Sequence, residues 1–404
     1  MRLMIFVIIS LFFVNTTKAQ TSVSSKNSEN IMFFDSNLPT DHINNRLNAV
    51  IRNFARNNGV SKENINLPYV SAHQLYIPML YAYQTEKQDL LSSYPNLFTY
   101  KNVDAVLSSD FVTDLDKKIF IFFTAEYIRL LNSNSQETKK IYSLISKYNQ
   151  DYWFKVPGKN WQTEKINFTG KKERVEAILA NKYNGDKSYY NAITDNELFV
   201  MASAVSLAIS EEKMQISDNH NDEIVNTFYE VMKTQVKTND DGTWLFQPDV
   251  WRNHSDFANV KSSTNIPVAW DASHFSRFPA YLYLLKIYFS DKKEKYIYIT
   301  QLQEGLAKQF IEKVAVFDKT ANKYTFNNYM SGDNRAFRTN YKNNRTQGES
   351  QNYTHIFFGW WKLLPSKEIS EMYDNLYNNF QIYENENEQI KRFQEIYKEI
   401  INLK

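Results

Sequence analysis

Two kinds of helical segment alternate along this chain, and that alternation constrains its fold more than any other feature. FVMASAVSLAI (199–209) and FPAYLYLLKIYF (278–289) are apolar and aromatic all round, whereas KKEKYIYITQLQEGLAKQFIEK (292–313) carries its charges on one face. A helix without a polar face must be buried on every side, and an amphipathic helix covers it from outside. Apolar residues recur at helical spacing in 41–58, 73–85, 103–113, 117–132, 138–153, 171–183, 195–210, 221–237, 275–289, 293–314, 353–363, 367–380 and 386–403. Only short stretches such as Thr243–Phe246 and Lys323–Phe326 read as extended. The helices pair across short polar turns, 117–132 with 138–153, 195–210 with 221–237, 275–289 with 293–314 and 353–363 with 367–380. Repeated hairpins predict an all-α fold with little β structure, a solenoid or closed ring with an inner and an outer layer. The inner layer is expected to include 195–210, 275–289 and 353–363.

Residues 1–20 run from the cationic Met-Arg-Leu-Met through an apolar stretch ending at Val14 to Asn-Thr-Thr-Lys-Ala-Gln. A charged start, a short apolar run and a small-residue exit read as a secretory signal cut after Ala19. The run is too short to span a bilayer comfortably, so no membrane insertion is expected after cleavage. Residues 20–40, rich in Ser, Thr, Asn and Lys, read as a flexible leader, and 41–404 as a single domain. The chain has no Cys, which excludes disulfide scaffolds, thiolate zinc sites and cysteine nucleophiles. An exported chain without cysteines points to the periplasm or exterior of a bacterial envelope. Removing Arg2 and Lys18 with the signal leaves 45 basic against 45 acidic residues. No global field then draws the protein to nucleic acid or to an anionic membrane.

Long irregular segments, 154–170, 238–274 and 315–352, lead into inner helices, and loops of that size in a compact chain are more often functional than accidental. If the inner helices run parallel, their N-termini surround one mouth, where exposed N–H groups and helix dipoles favour anions. His73, His274 and His355 sit at such junctions, and His254 lies in the loop before the second. One histidine at a helix start is more often a cap or a core residue, but three in equivalent positions point to a shared site. The stretch Asp240–Arg277 brings Trp251, Arg252, His254, Asp256, Trp270, Asp271, His274 and Arg277 into one run. Asp271 and Ser273 read equally well as a helix N-cap. His274 and Arg277 are three apart and share a helix face. Arg beside His and Trp suits a sugar carboxylate: Arg forks onto the carboxylate, His moves a proton, Trp stacks on the pyranose. In 332–355, Arg335, Arg338, Lys342 and Arg345 form a solvated basic loop or a cationic rim for an acidic polymer. Glu349, Asn352, Tyr353 and His355 lie closer to the next inner helix.

Paired helices, an aromatic inner layer and loops bearing His, Arg and Trp resemble the (α/α) toroid proteins that act on carbohydrates: polysaccharide lyases, uronyl epimerases and several glycoside hydrolases. The likeness covers about 41–404 in architecture and 244–277 with 349–361 in motif. It implies catalytic roles for His274, Tyr353, His254 and Arg277. It implies substrate contacts from Trp251, Arg252, Asp256, Trp270, Asp271, Glu349, Asn352 and His355. No GxxxxGK[ST], GxGxxG, HExxH, GxSxG or DxDxDG motif supports a nucleotide, zincin, serine-hydrolase or calcium reading. No cofactor is expected, and a metal on His254, Asp256 and His274 is the outlying alternative. The expected partner is a carbohydrate, acidic rather than neutral. The chemistry stays open between β-elimination and hydrolysis, which needs two carboxylates about 5–10 Å apart from among Asp256, Asp271 and Glu349. A glycan-binding protein without catalysis is the third reading.

Overall fold

The computed structural model describes residues 67–159, 167–182, 187–254, 267–333, 354–381 and 388–403. The proposed signal, the leader and the segment 41–58 lie outside them. The described chain is predominantly helical. In order the helices are α1 (Leu67–Gln84), α2 (Gln88–Leu91), α3 (Tyr94–Leu97), α4 (Tyr100–Ser108), α5 (Asp114–Leu131), α6 (Gln136–Gln150), α7 (Lys171–Leu179), α8 (Asp195–Met214), α9 (Asn219–Gln235), α10 (Ala272–Phe275), α11 (Phe278–Tyr288), α12 (Lys293–Gln309), α13 (Thr354–Phe357), α14 (Lys367–Asn378) and α15 (Glu388–Asn402). Among the described residues the strands form three two-stranded antiparallel hairpins: β1 (Gly158–Lys159) with β2 (Asn167–Phe168), β3 (Val236–Thr238) with β4 (Trp244–Phe246), and β5 (Ala315–Asp318) with β6 (Lys323–Phe326).

Four apolar helices, α1, α5, α8 and α11, are neighbours in that order, and cross-contacts fix their direction. Between α5 and α8, Lys118 meets Asn196, Phe122 meets Phe199 and Glu126 meets Ser206. Between α8 and α11, Asp195 meets Arg277 and Phe199 meets Tyr281. Between α1 and α11, Tyr69 meets Arg277 and Gln84 meets Tyr283. Residue numbers rise together on both members of every pair, so the four helices are parallel. Rings from α1, α5, α8 and α11 (Tyr76, Phe122, Phe199, Tyr281) have 0% exposure, and burying a side chain of this kind contributes about 1.5–3 kcal/mol.

The amphipathic helices run back along the outside. Tyr142 of α6 donates to Glu211 of α8 at 2.7 Å and Asn149 donates to the Val200 carbonyl at 3.1 Å, with numbers running in opposite senses. The reversals are local: α5 and α8 end at Asn132 (φ 49) and Gln215 (φ 55), left-handed caps that stop a helix sharply. Beyond α11, the turn Trp360–Leu363 packs against that helix, and Trp360 reaches α1. Its Nε1 donates to the His73 carbonyl at 3.0 Å, and its ring lies 4.8 Å from that of Tyr76.

Several expected segments end or break differently. The helix expected over 275–289 splits into α10 and α11, because Pro279 fits a first helical turn but not an interior. The helix expected over 353–363 breaks at Gly359, whose φ of 76° leaves the right-handed region. A side chain there would also place Cβ 2.9 Å from Ile400 Cγ2. The helix expected over 221–237 gives way at its end to β3, where β-branched Val236 and Thr238 pair with Phe246 and Trp244, whereas the one expected over 293–314 stays helical to Val314, its last turn widening over Phe310–Val314 before β5 begins.

Lys118, 1% exposed in α5, gives one test of this packing. Its ammonium donates to Asn196 Oδ1 at 2.8 Å and lies 3.6 Å from the Tyr152 ring centroid. Burial lowers its pKa from 10.5 to about 7, against the pull of Asp114 and Glu197. Since the folded value is depressed, the unfolded chain binds more protons between pH 7 and 10.5, and stability rises with pH across that window. Linkage sets a limit of about 4 kcal/mol at pH 7, from which the lost hydrogen bond and ring contact subtract about 1 kcal/mol each. Lys118→Met is therefore expected to stabilise the fold by about 2 kcal/mol at pH 7 and by less at pH 9. Urea midpoints at the two pH values measure this, and a variant less stable than wild type at both contradicts it.

Candidate functional site

Chemistry-bearing side chains gather where the inner helices begin. Tyr69 and His73 come from the start of α1, Asp195 from the first residue of α8, and Arg277 from the N-cap of α11. Asp271 and His274 belong to α10, and His355 to α13, which packs against α10.

Of the two capping candidates, Asp271 is the N-cap. Its Oδ1 accepts from the His274 backbone N–H at 2.9 Å and its side chain also takes the Ser273 hydroxyl. The same carboxylate holds the His274 ring, with Nδ1 at 2.9 Å from Oδ1 and 2.8 Å from Oδ2. A carboxylate only accepts, so Nδ1 carries the hydrogen. Backbone bonds clamp this segment from outside: Ala272 N donates to the Asn328 carbonyl at 2.8 Å and Met330 N to the Trp270 carbonyl at 3.0 Å. The His274 side chain is 30% exposed and that of Asp271 8%, so the imidazole and not the acid meets solvent.

Arg277 departs from its expected role. It is 4% exposed and its guanidinium is already engaged. Nη1 donates to Asp195 Oδ2 at 2.9 Å and to the His274 carbonyl at 3.3 Å, Nη2 to the Tyr69 hydroxyl at 2.5 Å, and Nε to His73 Nε2 at 3.3 Å. Burial opposes its charge, and Asp195, Tyr69, Tyr281 and Asp271 more than offset that, so Arg277 stays a cation. Its carboxylate partner is Asp195, which removes it as the fork for a substrate acid. Asp195 Oδ1 and the Tyr281 hydroxyl are buried here without a hydrogen-bond partner among the described residues.

The two histidines flanking this arginine are neutral. His73 Nδ1 lies 2.9 Å from the Tyr69 carbonyl, so it carries the hydrogen, and Nε2 accepts from Arg277. Burial and the adjacent Arg277 push its pKa well below 6.5. Burial brings His355 down to about 3, although Asp271 pulls upward; Arg277 and His274 push down as well. His355 thus lies within the fields of Asp271, Arg277 and His274.

The aromatic candidates are mostly core. Trp270 is 4% exposed, set edge-on to Phe246 at 5.8 Å and Trp251 at 5.9 Å, so it offers no open face for a sugar. Trp251 is partly exposed. His254, 3% exposed, is enclosed edge-on by Tyr189 at 4.9 Å and Trp251 at 5.8 Å, which removes it as an open acid or base. Arg252 is exposed and paired with Asp249 at 2.5 Å. Asp256, Glu349, Asn352 and Tyr353, with Arg335, Arg338, Lys342 and Arg345, lie outside the described residues. Among the described residues no group of three His, Asp or Glu side chains is gathered as metal ligands would be.

Tyr69, Asp195 and Trp361 were not anticipated. Thr194-Asp-Asn-Glu197 was a readable signal for Asp195, since it forms a capping box at the start of α8. Comparison with known proteins finds no relative: no protein-family model, no curated protein and no solved structure matches this chain.

Proposed function

We propose that this chain is an exported, carbohydrate-active (α/α) toroid that breaks a uronate-containing glycan by β-elimination, with His274 as the base. The toroid reading draws on the parallel order α1, α5, α8, α11 and on Trp360, which touches both ends of that series. The observation that carries the chemistry is the His274–Asp271 pair, a partly exposed imidazole held by a buried carboxylate. In the proposed step, Nε2 takes the proton from C5 and its electron pair forms the C4–C5 double bond. The C4–O bond breaks, and its oxygen leaves with a proton from an acid in the sequence just before α13, where Tyr353 is the candidate. Parallel helix N-termini stabilise the carboxylate on which charge develops. Hydrolysis is less well served, because Asp271 is committed to His274 and the α10 cap, and Asp195 to Arg277.

The test uses the exported protein, whose N-terminus is expected at Gln20, incubated with uronate and neutral oligosaccharides. Ultraviolet absorbance follows the new double bond, and reducing ends are assayed in parallel. Absorbance rising on a uronate glycan is the expected result. Reducing ends without absorbance would make the protein a hydrolase, and binding without either signal would make it a glycan-binding module.

A further inference from the structure

We infer that Trp361 locks His355, on the helix packed against α10, as an imidazole with its single hydrogen on Nε2, so that no second cation forms beside the helix that carries the Asp271–His274 pair. The reasoning starts from donor chemistry. Trp361 Nε1 lies 3.3 Å from His355 Nδ1, and an indole N–H can only donate. Nδ1 must therefore be the acceptor, and the ring hydrogen sits on Nε2. The indole has little freedom to leave, since Trp361 is 0% exposed and stacked on Phe310 with ring centroids 4.0 Å apart. Gly359 makes the arrangement possible, its left-handed turn bringing the Trp360–Leu363 turn back under α13.

The charged and titratable groups that act on His355 are Asp271 and His274 of α10 and Arg277 of α11. Burial keeps the imidazole uncharged, and a second cation here would compete with His274 for Asp271. His73, on the other side of Arg277, is held in the opposite form, with the hydrogen on Nδ1. The structure thus sets two buried imidazoles in opposite tautomers around one arginine.

The inference rests on the elimination reading only for its use in turnover, because its test needs no glycan. Nitrogen-detected NMR of the full chain, with its six histidines labelled, reports the tautomer of each ring. His355→Gln and His73→Gln assign the two signals by their loss. The expected result is His355 in the Nε2–H form and His73 in the Nδ1–H form, neither titrating from pH 8 to pH 5. His355 with the hydrogen on Nδ1, or titrating near an ordinary histidine value, overturns the lock. The wild-type spectra alone decide the tautomer.

Discussion

His274→Ala is expected to lower turnover by about 10²–10⁴-fold while leaving the fold nearly as stable as wild type. The two halves of that result have separate causes. The side chain is partly exposed, and the backbone N–H that Asp271 caps survives the substitution, so α10 keeps its cap. What disappears is the imidazole that the proposed elimination uses as its base. Asp271 variants sharpen the argument, because this residue does two jobs that different replacements separate. Asp271→Asn retains a good N-cap but loses the charge that orients the ring and stabilises its protonated form. Its stability should change little and its activity should fall. Asp271→Ala loses both functions and should cost about 1 kcal/mol more, as the loss of a cap does. Rates on the best glycan, set beside urea midpoints, decide the matter. Wild-type activity in Asp271→Asn would reduce Asp271 to a helix cap and leave His274 without its orienting partner.

What could be read from the sequence follows the range of the interactions concerned. The all-apolar character of 195–210 announces a buried helix, because burial on every side is a property of the segment alone; the helix runs on past that segment to Met214. The Asp271–His274 pair lies within one helical turn and is equally local, although the sequence offered Asp271 as a cap or substrate contact and set His274 beside Arg277 instead. Arg277 was misjudged for the opposite reason. Beside Trp270 and His274 it resembles a ligand fork, but its partners Asp195 and His73 are 82 and 204 positions away. No local pattern announces a partner at that distance. The break at Gly359 was hidden differently: IFFGWW (356–361) is apolar throughout, so helical spacing continues across a glycine that the backbone uses as a left-handed turn. His254 and Trp270 belong to the same class of error, because residue types suited to a sugar site are also those that fill an aromatic core.

Asp195→Ala is expected to destabilise the protein by about 3–5 kcal/mol, the cost of leaving one member of a buried ion pair without its partner. Both side chains are nearly sealed, at 4% for Arg277 and 8% for Asp195, so solvent cannot replace the lost carboxylate. Removing the arginine should cost less. In Arg277→Met the orphaned Asp195 still sits at the first position of α8, where the positive end of a 20-residue helix stabilises an anion. Arg277 without Asp195 has no such help: its remaining contacts are the Tyr69 hydroxyl, one nitrogen of His73 and the His274 carbonyl, none of them charged. The double variant Asp195→Ala with Arg277→Met removes both charges and should be clearly more stable than Asp195→Ala alone. The interaction energy from the four proteins is expected at about 2 kcal/mol or more. Denaturant midpoints at unchanged slope measure it. A loss below about 1 kcal/mol in Asp195→Ala, the range of an exposed pair, would mean that water reaches Arg277. In that case the guanidinium would again be open to an acidic ligand, and the case for a sealed clamp joining α1, α8 and α11 would fall.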